Sequence, residues 1–385
     1  MQRFWYLRIL PVLLCLLGTS TAVQVSVPET GRASISLSTV TTVAATSSTP
    51  TVSTSVAVTS SATSIPASSS STSAQPIPTT TVPPVPIPTP TKYKIQTNFV
   101  GDAFYDGFTF FTDDDPTHGR VNYVDEEIAR SQNLSQARHQ SFVIRADAKH
   151  LVIPDAVRGR NSVRITSKTW YTTHVLVADI RHMPEGAATW PALWEFGENW
   201  PSRGEVDILE GANDVAPNLS SLHTSPGCLQ PETGRRMTGT ATGLNCDATA
   251  PGNSGCGVQY SSAASYGPSF NAAGGGWYAL ERTDAAIKIW FWGRHAHDVP
   301  LEVKQGAQVV HPNEWGSPSA LFVMDACPLR EKFGPNQIVI NLTLCGDWAG
   351  NTYPGGKAAC IDFVNNNPAA FSDAYWDFAR LSVYV

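Results

Sequence analysis

Glu205-Val206-Asp207-Ile208-Leu209-Glu210 places three carboxyl groups within six residues of strand-like composition. Side chains of a strand alternate between its faces, so Glu205 and Asp207 point the same way. Strict alternation would send Glu210 to the other face. One extra residue taken up as a β-bulge would return it beside the other two. Carboxyl groups crowded on one face repel each other, which raises at least one pKa and keeps one group protonated near neutrality. A protonated acid beside an ionised one is the pair that hydrolysis of a glycosidic bond requires. A solvated strand edge with acids that happen to alternate is the competing reading, and the surrounding residues weigh against it.

Those surroundings are rich in tryptophan and glycine. Thr189-Trp190-Pro191-Ala192-Leu193-Trp194-Glu195 and Trp200-Pro201-Ser202-Arg203-Gly204 precede the acids, and Gly211-Ala212-Asn213 follows them. The segment resembles the glycoside hydrolase family 16 signature, in the form with one additional residue between Asp and the second Glu. Asp115 to Tyr123, Gly159 to Ile165, Gly274 to Ala279 and Cys345 to Gly350 extend the likeness to the fungal laminarinases of that family, from about Tyr93 to Val385. The resemblance implies a β-jelly-roll sandwich with a concave substrate cleft. It implies Glu205 as nucleophile, Glu210 as acid/base and Asp207 as the group between them that hydrogen-bonds the nucleophile. A retaining enzyme needs its two working carboxyl groups about 5–5.5 Å apart.

Sugar rings have apolar faces and polar rims, so a polysaccharide cleft needs flat aromatics and hydrogen-bonding groups. Trp194, Trp200 and Trp348 match stacking or lining positions of the family, and Asn122, Arg164 and His223 match polar ones. Trp277, Trp290 and Trp292 are expected in the core or the cleft wall, since most tryptophans of a sandwich are core.

The elements that must position these groups read as strands. Ser141 to Ala146, Ser162 to Ser167, Val175 to Arg181, Ile287 to Trp292 and Ile338 to Leu342 are rich in β-branched and aromatic residues between turn signals, as in an all-β sandwich. Helical patterning is scarce, with a turn or two expected over Asp125 to Ser131 and a short one over Pro368 to Ser372.

Residues 1–22 read as a secretory signal. Arg3 and Arg8 flank the start of an apolar run from Ile9 to Leu17, and Ser20-Thr21-Ala22 follows. Cleavage after Ala22 is expected, with an uncleaved signal anchor as the alternative. Residues 23–91 are mostly Ser, Thr, Pro, Val and Ala. Such a segment cannot bury enough apolar surface to fold, and reads as a disordered, O-glycosylated stalk ending in a polyproline spacer. Residues 92–385 form the catalytic domain, long enough for one large core.

The net charge of −6 comes without a basic block, which argues against nucleic acid as a partner. No second long apolar run follows the signal, so no membrane span is expected in the mature chain. Cys15 falls in the signal, leaving Cys228, Cys246, Cys256, Cys327, Cys345 and Cys360, an even set that suggests disulfides. Six cysteines permit 15 pairings; the one preferred is Cys246–Cys256, Cys345–Cys360 and Cys228–Cys327. Zinc ligation is disfavoured because no Cys-x-x-Cys is present.

No cofactor is expected. Gly274-Gly275-Gly276 lacks the following Lys-Ser/Thr of a phosphate loop, and His295-Ala296-His297 sits in a loop pattern. Asn133, Asn218 and Asn341 begin sequons; Asn133, in a polar stretch, is the first glycosylation candidate and Asn218 the second, whereas Asn341 lies in an apolar strand pattern, where its amide should bond within the fold.

The expected protein is therefore a secreted, extracellular or wall-associated monomer that cleaves laminarin-type or mixed-linkage β-glucan. Two alternatives remain: a β-glucan transglycosylase, and a glucan-binding wall protein that performs no hydrolysis. The acid trio favours an enzyme, because a pure binder gains nothing from burying those charges.

Overall fold

The computed structural model describes residues 92–385, and the signal, the stalk and Cys15 lie outside the described residues. Two large antiparallel sheets face each other. In the first, the strands Val309–Val310, Tyr93–Phe99, Tyr375–Tyr384, His174–His182, Gly276–Arg282, Ala286–Gly293 and Ala320–Val323 lie in that order, with Ser141–Arg145 pairing onto Tyr375–Tyr384. In the second, the order is Thr240–Ala241, Cys256–Gln259, Leu219–His223, Glu205–Glu210, Thr189–Gly197, Asn336–Leu344, Arg164–Ser167 and Phe108–Phe110. Alongside hairpin pairs such as Thr189–Gly197 with Glu205–Glu210, each sheet joins strands far apart in the chain, as Tyr93–Phe99 with Tyr375–Tyr384 and Thr189–Gly197 with Asn336–Leu344, in the manner of a jelly roll.

The core lies between the sheets because each strand sends alternate side chains inward. Leu193, Val206, Ile208, Leu209, Leu222, Ile338 and Ile340 of the second sheet pack with Leu176, Ala178, Leu280, Ile289, Phe378 and Leu381 of the first. Trp277, Trp290 and Trp292 lie on the outer face of the first sheet, in a separate buried cluster with Val175, Val177 and Trp315. The tryptophans expected in core or cleft wall are thus core, on the side away from the acids.

The expected strands are present with small differences at their ends, and Ser162 to Ser167 is divided into Arg160–Ser162 and Arg164–Ser167. The helix Glu126–Ser131 is capped by Asp125, whose carboxylate accepts from the Ile128 N–H at 2.8 Å. The 11-residue helix Gly356–Asn366 was not expected; it is joined to the second sheet through Cys345–Cys360. Cysteine pairing is Cys228–Cys327, Cys246–Cys256 and Cys345–Cys360, the preferred set.

Candidate active site

The strand Glu205–Glu210 carries the bulge that its residue count requires. Against Thr189–Gly197, Glu205 stands opposite Phe196 and Asp207 opposite Trp194. The register then slips by one, so that Leu209 faces Leu193 and Glu210 faces Ala192. Ile208 is the extra residue. Val206, Ile208 and Leu209 all enter the core, while Glu205, Asp207 and Glu210 all line one open cavity of about 890 Å³.

Cross-strand rows build the rest of that floor. Arg164 pairs with Asn341, which pairs with Ala192 and so leads to Glu210. Trp194 leads to Asp207 and on to Ser221, and Phe196 leads to Glu205 and on to His223. Loops raise the wall, where the Asp347 N–H donates to the Thr117 carbonyl at 3.0 Å and joins Asp115, Pro116 and Thr117 to Asp347 and Trp348.

Both glutamates have an indole donor, and Asp207 has an ion-pair partner. The Trp190 indole N–H donates to Glu210 Oε1 at 2.7 Å, and the Trp200 indole donates to Glu205 Oε2. His223 Nε2 lies 3.4 Å from Asp207 Oδ2, while its Nδ1 meets Asn253 Oδ1 at 3.0 Å. Gly255, at φ +63°, lets the backbone pass against the His223 ring where a Cβ would collide with it.

Burial pushes the Glu205 carboxyl up to about 8, and the Asp207 charge adds to it. The same two causes, in the same order, raise Glu210 well above the usual carboxylate range. Both shifts run the same way, so burial and crowding favour a proton held on this pair of glutamates. Burial works against a charged His223, but the hydrogen bond and charge of Asp207 prevail and raise it to about 10. An imidazolium beside Asp207 therefore partly offsets the crowding of acids. Among the described residues, Glu205, Asp207 and His223 bring three atoms capable of metal ligation within 4.8 Å of one another; these are the groups just assigned to proton chemistry.

The XgeA-like catalytic GH16 domain model matches residues 108–384. The chain belongs to glycoside hydrolase family 16. It is similar to an endo-1,3(4)-beta-glucanase of Arthroderma benhamiae, with 41% identity over 76% of this chain and 65% of that relative. Aspergillus relatives are longer, and the chain spans about half their length, as with the 46% covered in Aspergillus clavatus. Among solved structures it resembles GH16 Laminarinase 16A from Phanerochaete chrysosporium, which holds β-glucans in donor and acceptor sites. Identity there is 50%, with TM-score 0.74, over 77% of this chain and 100% of that one. An elongating GH family 16 beta-1,3-glucosyltransferase is 36% identical, with TM-score 0.70, over 76% of this chain and 100% of that one.

In this family 16 cleft the sequence-expected residues divide. Arg164, Trp194, Trp200, His223 and Trp348 line the same cavity as the acids. The Arg164 guanidinium is buried over Phe111 and Trp194, with ring centroids 4.4 and 5.1 Å away. Asn122 stands apart from that cavity wall. Its amide donates to Asn161 Oδ1 at 2.7 Å and accepts from Arg158, which ties the strand Val121–Tyr123 to its parallel partner Arg160–Ser162.

Trp190 and Asn341 were not foreseen as cleft residues. The period-two row Trp190, Ala192, Trp194, Phe196 could have revealed the first. Asn341 does bond within the fold, accepting from Trp194 Nε1 at 2.7 Å and donating to the Tyr123 hydroxyl at 3.2 Å.

Asn218 corrects an expectation. It is fully buried and its amide is engaged on both sides, so the folded domain has no room for a glycan there. Asn133 is exposed, at φ +58° just after a helix. His295 and His297 are exposed and belong to no ligand cluster among the described residues.

Proposed function

We propose that this chain is a secreted endo-β-1,3(4)-glucanase that cleaves laminarin-type β-glucan by retaining double displacement. The observation that carries the reading is the bulge at Ile208, which turns Glu205, Asp207 and Glu210 onto one wall of a tryptophan-lined cavity. Glu205 attacks the anomeric carbon and forms the covalent glycosyl intermediate, while Glu210 gives its proton to the departing glycosidic oxygen. Glu210 then takes a proton from the incoming water. Asp207 holds Glu205 through a hydrogen bond and keeps the affinities of the two glutamates apart. Trp194, Trp200 and Trp348 stack on sugar faces, and Arg164 and His223 supply polar contacts at the rims.

Residues 1–22 direct secretion, and residues 23–91 serve as a tether that takes no part in the cleft. The catalytic domain acts as a monomer, and Asn133 carries an N-linked glycan. Three disulfides fit an oxidising, extracellular location. Among the described residues no helix is long and apolar enough to cross a membrane.

Transglycosylation is a second reading with its own support. Trp190 binds Glu210 and packs edge-on against Trp348 at 5.7 Å, while Phe196 and Trp200 flank Glu205. Aromatic surface thus lies on both sides of the acids, where an acceptor sugar could compete with water for the intermediate.

Chromatography of products from laminarin, lichenan and laminarin with a short glucan acceptor tests both readings. Shorter oligosaccharides with retained β-configuration are expected. No cleavage of either polymer by the folded enzyme would refute the glucanase reading, and products longer than the substrate would assign the transferase activity.

A further inference from the structure

We infer that Asn218 is a positioning residue for Glu210: it replaces the strand partner that the bulge at Ile208 removes. The inference rests on the reading of Glu210 as general acid. A bulge leaves backbone polar groups without ladder partners, and a buried amide or carbonyl left unpaired is destabilising. Here the neighbouring strand stops pairing where the bulge begins. Glu205, Val206 and Asp207 pair with His223, Leu222 and Ser221, and the ladder goes no further.

Side chains take over from that point. Asn218 Nδ2 donates to the Ile208 carbonyl at 3.0 Å, and Asn218 Oδ1 accepts from the Glu210 N–H at 2.9 Å. One amide therefore spans the bulge and fixes the backbone atom next to the Glu210 side chain. Rotating the amide by half a turn would set donor against donor and acceptor against acceptor, so the network permits one orientation. Ser220 Oγ supplies a second donor to the Ile208 carbonyl at 2.8 Å and meets the Tyr260 hydroxyl at 2.9 Å. Asn218 is itself held, its N–H donating to Ser265 Oγ at 3.0 Å and its carbonyl accepting from the Tyr260 N–H at 3.0 Å.

Both polar residues of the sequon Asn218-Leu219-Ser220 thus grip the bulge. A glycan would occupy the Nδ2 that binds Ile208. The motif signals modification by its sequence and serves as a backbone clamp in the fold.

The test is a leaving-group comparison on the full chain. In Asn218→Ala, the Glu210 backbone loses its anchor and proton delivery suffers first. Laminarin turnover should fall ~100-fold, with KM within about threefold, while turnover of an activated aryl β-glucoside falls less than ~10-fold. Parallel loss on both substrates would overturn the inference, because general loosening does not discriminate between leaving groups. Ser220→Ala keeps the Glu210 anchor and should leave the ratio of the two rates unchanged; a ratio that rises as in Asn218→Ala would refute the assignment to Asn218.

If Asn218→Ala does not fold, Asn218→Asp serves. Its neutral carboxyl can accept from Glu210 and donate to Ile208, so its laminarin rate relative to wild type should fall at least ~10-fold from pH 4 to pH 7. A constant ratio would refute the clamp.

Glycopeptide mapping of the secreted protein gives a readout independent of substrate. Asn218 should be bare, and a glycan on it would refute the clamp even if no glucan is cleaved. A bare Asn218 together with an inactive wild type would sink the glucanase reading and leave the clamp standing.

Discussion

The outer faces of the two sheets use the same residue types to opposite ends. On the first sheet, Trp277, Trp290 and Trp292 lie under a cover that includes Val303, Val310 and Trp315, and the acids among them have cations. Asp179 meets Arg294 at 2.7 Å and Arg380 at 3.7 Å, while Glu281 meets Lys288 at 2.7 Å and accepts from the Tyr93 hydroxyl at 3.1 Å. On the second sheet, Trp190, Trp194 and Trp200 lie open to a cavity, and three acids share one imidazole.

Between the sheets, Glu195 pairs in the ladder with Val206, one step from Glu205. Burial alone would raise Glu195, but Arg282 at 2.8 Å and His174 at 3.1 Å hold it below the usual carboxylate range. Buried glutamates on adjacent strands are thus driven in opposite directions by whether a cation stands beside them. Tryptophan content does not mark the site here. Uncompensated charge on an uncovered face does.

The sharpest break of this contrast is Glu205→Gln, which should lower laminarin turnover by ~10⁴-fold or more with the fold intact. Glu281→Gln, in the compensated face, should leave turnover within about twofold. Reducing-sugar assays beside near-ultraviolet circular dichroism decide the point, and a folded, active Glu205→Gln enzyme would overturn the nucleophile assignment.

Glu210→Ala comes next, at ~10³-fold on laminarin, but with measurable rate on a substrate carrying an activated aryl leaving group. Added azide should partly restore turnover and yield the β-azide, since two inversions preserve configuration. The α-azide from this variant would mean that the two glutamates are reversed. Paired tryptophan variants then separate the two faces. Trp194→Ala should raise KM for laminarin about tenfold with a small change in Tm. Trp290→Ala should cost about 3–5 kcal/mol of stability with KM unchanged.

The smallest effect is in the pH dependence of stability. Glu205 is raised from its ordinary value to about 8, so the folded state holds that proton more tightly and loses stability as pH rises from about 4.5 to 8. His223, raised to about 10, contributes stability that is complete below about 6.5 and is lost as pH rises through 10. Thermal midpoints should therefore fall across the whole range. Glu205→Gln should flatten the lower part and gain about 1 kcal/mol at pH 8. A wild-type midpoint that rises between pH 6 and 8 would contradict the sign.

Much of the site could be read from six residues, because face alternation is a count. An acid at an odd spacing either leaves the face or implies a bulge, and the bulge is present. Other residues were less legible for physical reasons. The Asn218 sequon is a local pattern, and only the neighbouring strand, with Ile208 and Glu210 lacking partners, decides what its amide does. Trp190 was passed over beside Trp194 although alternation placed both on one face. The helix Gly356–Asn366 starts at glycine and buries few large side chains, Cys360 and Val364 among them, so its apolar stripe is faint. Asn122 matched a motif, yet its amide is committed to Asn161.

Parity governs what change this strand can tolerate. Deleting Ile208 would remove the bulge and restore plain alternation with all three acids still on the cleft side, at the loss of one core side chain. Deleting Val206 instead would set Glu205 and Asp207 on opposite faces. Lengths of the acid segment are therefore not equivalent by one: some single-residue deletions leave the set of cleft acids intact, and others move a carboxylate into the hydrocarbon interior. Over generations such a strand can shed its extra residue in a single step between Asp207 and Glu210, at Ile208 or Leu209, but not between Glu205 and Asp207.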